Sequence, residues 1–218
     1  MLNDNTQVND NQLTTANFIA ETPALPPETP LPQKRVRRRG PLRLARLTLA
    51  ISAGKLVGTA GRVMGIGGGT SLPGKVLMRL EPAAIAELAE RLERGTVVLS
   101  ATNGKTTTAA MAASVLERSG VRLVHNRAGA NLASGVASTL LAAARSGGRI
   151  DGELGLFEVD EFWLDRLVPE LHPRAVLLSN LFRDQLDRYG ELETIADRWA
   201  AVVATLDGSS QRVLNADD

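Results

Sequence analysis

Residues Ala101–Thr108 read ATNGKTTT. A lysine set between glycine and a run of hydroxyl residues suits the binding of a nucleoside triphosphate. Loop N–H groups and the N-terminus of a following helix point at phosphate oxygens. Lys105 is placed to neutralise the β- and γ-phosphates, and the Thr106 hydroxyl to ligate Mg²⁺. Gly104 lets the backbone approach the phosphate without a Cβ in the way. The strict phosphate-loop pattern wants glycine where this chain has Leu99, so only the shorter form, small-Thr-Asn-Gly-Lys-Thr-Thr, is satisfied.

Three further polar clusters follow apolar runs. HNRAGANL offers His125, Asn126, Arg127 and Asn131; EVDE offers Glu158, Asp160 and Glu161; SNLFRDQLDRYGE offers Asn180, Arg183, Asp184, Gln185, Asp187 and Arg188. A hard cation held by Thr106, one carboxylate, phosphate oxygens and waters suits Mg²⁺. Glu158 is the first choice for that carboxylate and Asp160 the second. The plain alternative is that EVDE caps the next helical turn, where acids are favoured anyway. His125 reads as structural or exposed, and His172, before Pro173, as a turn residue.

Positioning these groups takes alternating strands and helices. Strands are expected at 97–100, 121–125, 154–159, 175–179 and 212–214, with helices at 105–119, 131–144 and 192–206 and a short turn of helix at 163–167. Such alternation predicts an α/β fold, a parallel sheet covered by helices on both faces, with ligands at the carboxyl ends of the strands. Upstream, helices are expected at 42–63, packed on the main domain, and at 81–93. Between them GIGGGTSLPGK reads as a flexible hinge. The Pro-rich and basic residues 1–40 cannot bury a core and read as a disordered tail. The division is therefore 1–40 tail, 41–80 short helical and Gly-rich region, 81–218 nucleotide-binding domain.

The 218 residues include no Cys and only two His, which excludes disulfides, thiolate metal sites and His-rich metal clusters within them. Net charge is +1 but unevenly placed: 34–46 holds seven cations and no acid, 151–193 eleven acids against four arginines. The basic run KRVRRRG is compatible with nucleic acid, anionic lipid or plain solvation. No aromatic residues interleave with it, so nucleic acid is not the expected partner. No apolar run is long enough to span a membrane and the start lacks a signal-peptide pattern, so a cytoplasmic protein is expected, with peripheral contact of the basic 42–63 helix at the membrane face as an option.

Taken together and in this order, TNGKTTT, NRAGAN, EVDE, SNLFRDQLDRYGEL and VLNADD resemble the Mur ligase superfamily, and within it the MurT-type subunits of lipid II isoglutaminyl synthase. The likeness spans about 42–218. It implies an ATP- and Mg²⁺-dependent ligase of peptidoglycan synthesis. ATP would phosphorylate the D-glutamate α-carboxylate of lipid II, and ammonia from a GatD-type glutaminase subunit would displace the phosphate. Thr102, Asn103 and Thr107 would complete the loop around Gly104, Lys105 and Thr106. Asn126 or Asn131 would reach the γ-phosphate or acyl phosphate, and Lys105, Glu158 and Gln185 would form the catalytic set.

Gln185 stands where many Mur ligases have a His that helps hold a second Mg²⁺. The residues around Arg198–Ala201 show no counterpart of their modifiable Lys. Gln185 is typical of the MurT-type group and leaves the second Mg²⁺ open, and both departures speak against an amino-acid-adding ligase. The resemblance further implies that adenine contacts, a C-terminal domain and a Cys-rich zinc ribbon lie beyond Asp218. Zinc is thus not expected within this chain, which reads as a fragment or truncated frame, inactive alone. The competing readings are a Mur-type amino-acid-adding ligase and a catalytically silent ATP-binding scaffold.

Overall fold

The structure, a computed structural model, describes residues 40–64, 71–126, 129–182 and 191–216. The expected tail, the glycines of GIGGG, Arg127 and the segment holding Gln185 lie outside them.

Helix α1 (Pro41–Val63) opens with proline in its first turn, where the missing N–H costs nothing. α2 (Leu72–Leu80), again proline-led, and α3 (Ala84–Ala89) follow. Then come β1 (Thr96–Ser100), α4 (Lys105–Arg118), β2 (Leu123–His125), α5 (Ala133–Ala143) and β3 (Leu154–Glu158). A 3₁₀ turn (Glu161–Trp163) leads into α6 (Leu164–Leu171), β4 (Ala175–Leu178), α7 (Glu191–Thr205) and β5 (Gln211–Leu214).

The five strands form one parallel sheet in the order β2-β3-β1-β4-β5. The chain leaves β1 past β3 to β2, then returns through β3 and crosses β1 to β4. Parallel crossovers are right-handed, so reversing direction moves the connecting helix to the opposite face. α4 accordingly stands apart from the helix layer and rests on β1, β2 and β3. α3, α5, α6 and α7 share one core with Val98, Val124, Phe157, Val176 and Leu178 on the other face. The reversal falls at β1, so the loop after it sits at the switch point where ligands bind in open α/β sheets.

Two expectations change. Residues 72–75, read as the end of the hinge, instead open a helix that runs to Leu80. α2 docks on α5 so closely that a Cβ on Gly74 would lie 2.0 Å from the Ser134 carbonyl oxygen, and the Gly74 N–H donates to Ser138 Oγ at 2.9 Å. The helix expected over 81–93 is confined to α3. Beyond it Arg91 and Leu92 N–H reach back only three residues, to the Leu88 and Ala89 carbonyls, and Gly95 turns the chain at φ 77° into β1. α1 packs as expected: Leu47, Ala50 and Ile51 lie in the same core as the sheet.

Candidate nucleotide site at the strand ends

The loop after β1 enters α4 through Gly104 at φ 76°, a left-handed conformation that penalises any side chain. A Cβ there would meet nothing within 4 Å, so backbone angle is what demands glycine in the protein itself. The first-turn N–H groups of Lys105, Thr106 and Thr107 have no partner inside the helix and carry the positive end of its dipole.

The end of β4 braces this loop. Asn180 donates through Nδ2 to the Asn103 carbonyl at 3.0 Å and accepts the Asn103 N–H on Oδ1 at 2.9 Å. Its own carbonyl accepts the Thr102 N–H at 2.9 Å. Thr102 Oγ1 accepts the Phe182 N–H at 3.1 Å. Thr102 and Asn103 therefore hold the loop's shape, and the N–H groups that remain for phosphate oxygens begin at Gly104.

Thr106 Oγ1 donates to the Glu158 carboxylate, 2.9 Å from Oε2 and 3.1 Å from Oε1. Glu158 is the last residue of β3, paired in register with Leu99 of β1, and is 3% exposed. Two neighbouring ligands of an octahedral Mg²⁺ at 2.0–2.1 Å stand about 2.9 Å apart. That is also the length of the hydrogen bond itself; what fits Mg²⁺ is the chemistry of the pair, a hydroxyl and a carboxylate, both hard oxygen donors. Among the described residues no group of three His, Asp or Glu could hold a metal. A Mg²⁺ here would take its other oxygens from phosphates and water, as it commonly does.

Asn126, at the end of β2, is 1% exposed. Its Oδ1 accepts the Glu158 N–H at 2.8 Å, and its Nδ2 donates to the Glu158 carbonyl at 2.7 Å and the Ala130 carbonyl at 2.8 Å. Both amide protons are thereby used, and the side chain positions Glu158. The Asn131 carbonyl accepts the Asp160 N–H at 3.0 Å, which ties the start of α5 to the EVDE turn. Asp160 caps that turn, its Oδ1 accepting the Phe162 N–H at 3.0 Å. Asp160 thus makes the cap of the plain alternative with one carboxylate oxygen, while Glu158 faces Thr106.

Lys105 Nζ donates to the Ala101 carbonyl and, at 3.1 Å, to the Thr102 carbonyl, and pairs with Glu161 Oε2 at 3.1 Å. Both charged side chains are largely buried. Glu161 and Asn180, each visible in a polar cluster, are the two residues whose part in the site sequence reasoning missed. Trp199 Nε1 of α7 donates to the Glu161 carbonyl at 3.3 Å and steadies that turn. His125 Nδ1 lies 2.9 Å from the Leu156 carbonyl, and His172 ends α6 at φ 46°, both structural as expected.

A parallel α/β sheet with a Gly-Lys-Thr loop and a hydroxyl–carboxylate pair at its switch point defines a phosphate-loop protein. Residues 100–218 match the Mur ligase middle domain, and the chain belongs to that family. It is 32% identical over 169 residues to "Lipid II isoglutaminyl synthase (glutamine-hydrolyzing) subunit MurT" of Staphylococcus aureus strain N315, covering 78% of this chain and 37% of that protein. The Streptococcus pneumoniae R6 protein of the same name is 36% identical, covering 59% of this chain and 28% of that one. A UDP-N-acetylmuramoylalanine–D-glutamate ligase of Aromatoleum aromaticum is 31% identical, with 65% and 28% covered. Among solved structures, MurF of Acinetobacter baumannii shares the fold at TM-score 0.52 and 19% identity, over 64% of this chain and 30% of that one. The chain thus spans about a third of the length of these relatives.

Proposed function

We propose that this chain supplies the nucleotide-binding part of an ATP-dependent ligase that amidates the D-glutamate α-carboxylate of lipid II, with ammonia from a GatD-type glutaminase subunit. The observation that carries the reading is the Thr106–Glu158 pair beside Lys105 at the sheet's switch point. The similarity to MurT over 78% of the chain supports the choice of reaction. Gln185, where a His would mark many other Mur ligases, favours it further, although it lies outside the described residues.

In this reaction a carboxylate oxygen attacks the γ-phosphorus and the bond to ADP breaks. Ammonia then attacks the acyl carbon, phosphate leaves, and the new nitrogen sheds a proton. The barrier is mostly one of position and charge. Lys105 exchanges Glu161 for phosphate oxygens, and the free N–H groups from Gly104 to Thr107 hold the phosphates. Thr106 and Glu158 would hold Mg²⁺, which supplies Lewis-acid neutralisation of the transferred phosphoryl group.

The test is an assay of the assembled protein with its glutaminase, lipid II, ATP, Mg²⁺ and glutamine, read by mass spectrometry. Carboxylate should become carboxamide with the natural chain and not with Thr106→Ala or Glu158→Gln. A second reading, an amino-acid-adding ligase, is favoured by the similarity to the D-glutamate ligase. Turnover of a UDP-linked muramoyl substrate with D-glutamate, and none of lipid II, would replace the first reading with the second.

A further inference from the structure

Residues 29–80 contain eleven of the chain's 25 Lys and Arg and no Asp or Glu. α1 lies within that stretch. On it Leu42, Leu49, Leu56 and Val63 recur every seven residues, close to two helical turns, and so line up along one side. They are 85%, 71%, 71% and 82% exposed. The opposite side, Leu47, Ala50, Ile51 and Gly54, is buried in the core. The helix is therefore apolar on both sides, and the described fold covers one of them.

At 100° per residue, Arg43 and Arg46 fall on one flank of the exposed stripe and Lys55 and Arg62 on the other. Three of these cations are tethered beside it. Arg46 Nε bonds the Leu80 carbonyl at 3.0 Å and Glu81 at 3.1 Å, Lys55 bonds the Ala144 carbonyl, and Arg62 Nε the Gly58 carbonyl at 3.2 Å. Single exposed leucines are ordinary on a protein surface, but a rimmed row of them marks an interaction site.

We infer that α1 docks on an anionic phospholipid surface, its Leu42–Leu49–Leu56–Val63 stripe entering the boundary between headgroups and acyl chains and its flanking cations meeting lipid phosphates. Charge complementarity selects this occupant. A second copy of the helix would set two acid-free basic segments face to face, with none of the opposite charges that pair helices at such seams. A nucleic acid would meet the cations but offers no apolar interior to the leucines. Apolar burial and electrostatic attraction add in this binding mode. The inference does not rest on the proposed reaction and fails or stands separately from it.

The test is sedimentation of the assembled protein with vesicles of phosphatidylcholine alone and of phosphatidylcholine mixed with phosphatidylglycerol. Binding is expected to the mixed vesicles only, to weaken as salt screens the charges, and to survive added inorganic phosphate. The double variant Leu49→Gln/Leu56→Gln should bind tenfold or more weakly, since it removes two of the four apolar side chains that would leave water. Both side chains are exposed, so its circular dichroism should be unchanged. Leu49→Cys carrying an environment-sensitive dye, read against identically treated protein without the substitution, should show emission shifting blue on adding mixed vesicles. Any of these results overturns the inference: no binding, equal binding to neutral vesicles, or binding the leucine variant retains. A dye already blue-shifted without lipid, or a dimer abolished by the leucine variant, would place protein on the stripe and overturn it too.

Discussion

Asn126 grips Glu158 by both backbone polar groups, accepting its N–H at 2.8 Å and donating to its carbonyl at 2.7 Å. The end of a strand is where ladder pairing runs out, and here a side-chain amide from β2 extends it by one step. Glu158 is thereby fixed before any ion or nucleotide arrives. Asn126→Ala would leave buried polar groups unpaired, each costing about 1–3 kcal/mol. Groups that orient a metal ligand typically contribute 10–100-fold in affinity. Expected outcomes are a lower urea midpoint and a Mg²⁺ requirement raised by about that factor. Asn126→Asp should be worse at neutral pH, because it loses the donor and sets an anion beside a buried carboxylate. An unchanged Mg²⁺ titration in the alanine variant would remove Asn126 from the site.

Lys105 and Glu161 form an ion pair that the triphosphate must replace or accommodate. On the proposed reading, Glu161 is an acid beside the phosphate charge that Lys105 receives. Glu161→Gln keeps the shape and removes the charge. Nucleotide binding should then tighten about three- to tenfold, on the order of 1 kcal/mol for one like charge near a partly screened site. Calorimetric titration with a non-hydrolysable ATP analogue reads this directly. Weaker binding would mean that Glu161 orients Lys105 rather than competes for it.

Asn180 holds the loop by the two backbone groups of Asn103 in a solvent-facing position. Water can replace a lost partner there, so Asn180→Ala should change global stability by less than about 1 kcal/mol. The loop's order before binding would be lost, and ordering it would then be charged against affinity. KM for ATP should rise about tenfold while the thermal midpoint stays within a few degrees. A large fall in midpoint with unchanged KM would make Asn180 a purely structural residue.

The residues of the loop and of β3 were legible because the chemistry is local. Lys105, Thr106 and Glu158 stand at the ends of apolar runs whose pattern sets strand and helix, and the parallel sheet follows from the same alternation. What sequence reading could not supply is the choice between neighbours. Glu158 and Asp160 differ by two residues, yet one ends a strand facing Thr106 and the other caps a turn. The braces are long-range as well. Asn126 and Glu158 are 32 residues apart, Asn180 and Asn103 77, and side-chain bonds to distant backbone leave no local pattern. α2 was hidden for a different reason: Gly74 reads as a breaker, but it is a contact residue that lets two helices touch.

Glu170, near the end of α6, is half-buried, and desolvation raises its carboxyl above the ordinary value. A carboxyl whose pKa is higher folded than unfolded binds its proton more tightly in the native state. Its ionisation therefore opposes folding. The cost is absent below the unfolded carboxyl range, grows as pH rises through the raised folded value, and is complete above it. A negative charge near a helix C-terminus adds to the penalty. Glu170→Gln is accordingly expected to raise the thermal midpoint at pH 7 and to lose that advantage in acid, where the natural carboxyl is already neutral. Thermal unfolding of both proteins from pH 3 to pH 7 should show the two midpoints converging as the solution becomes acidic. A constant offset across the range would assign the difference to packing instead of charge.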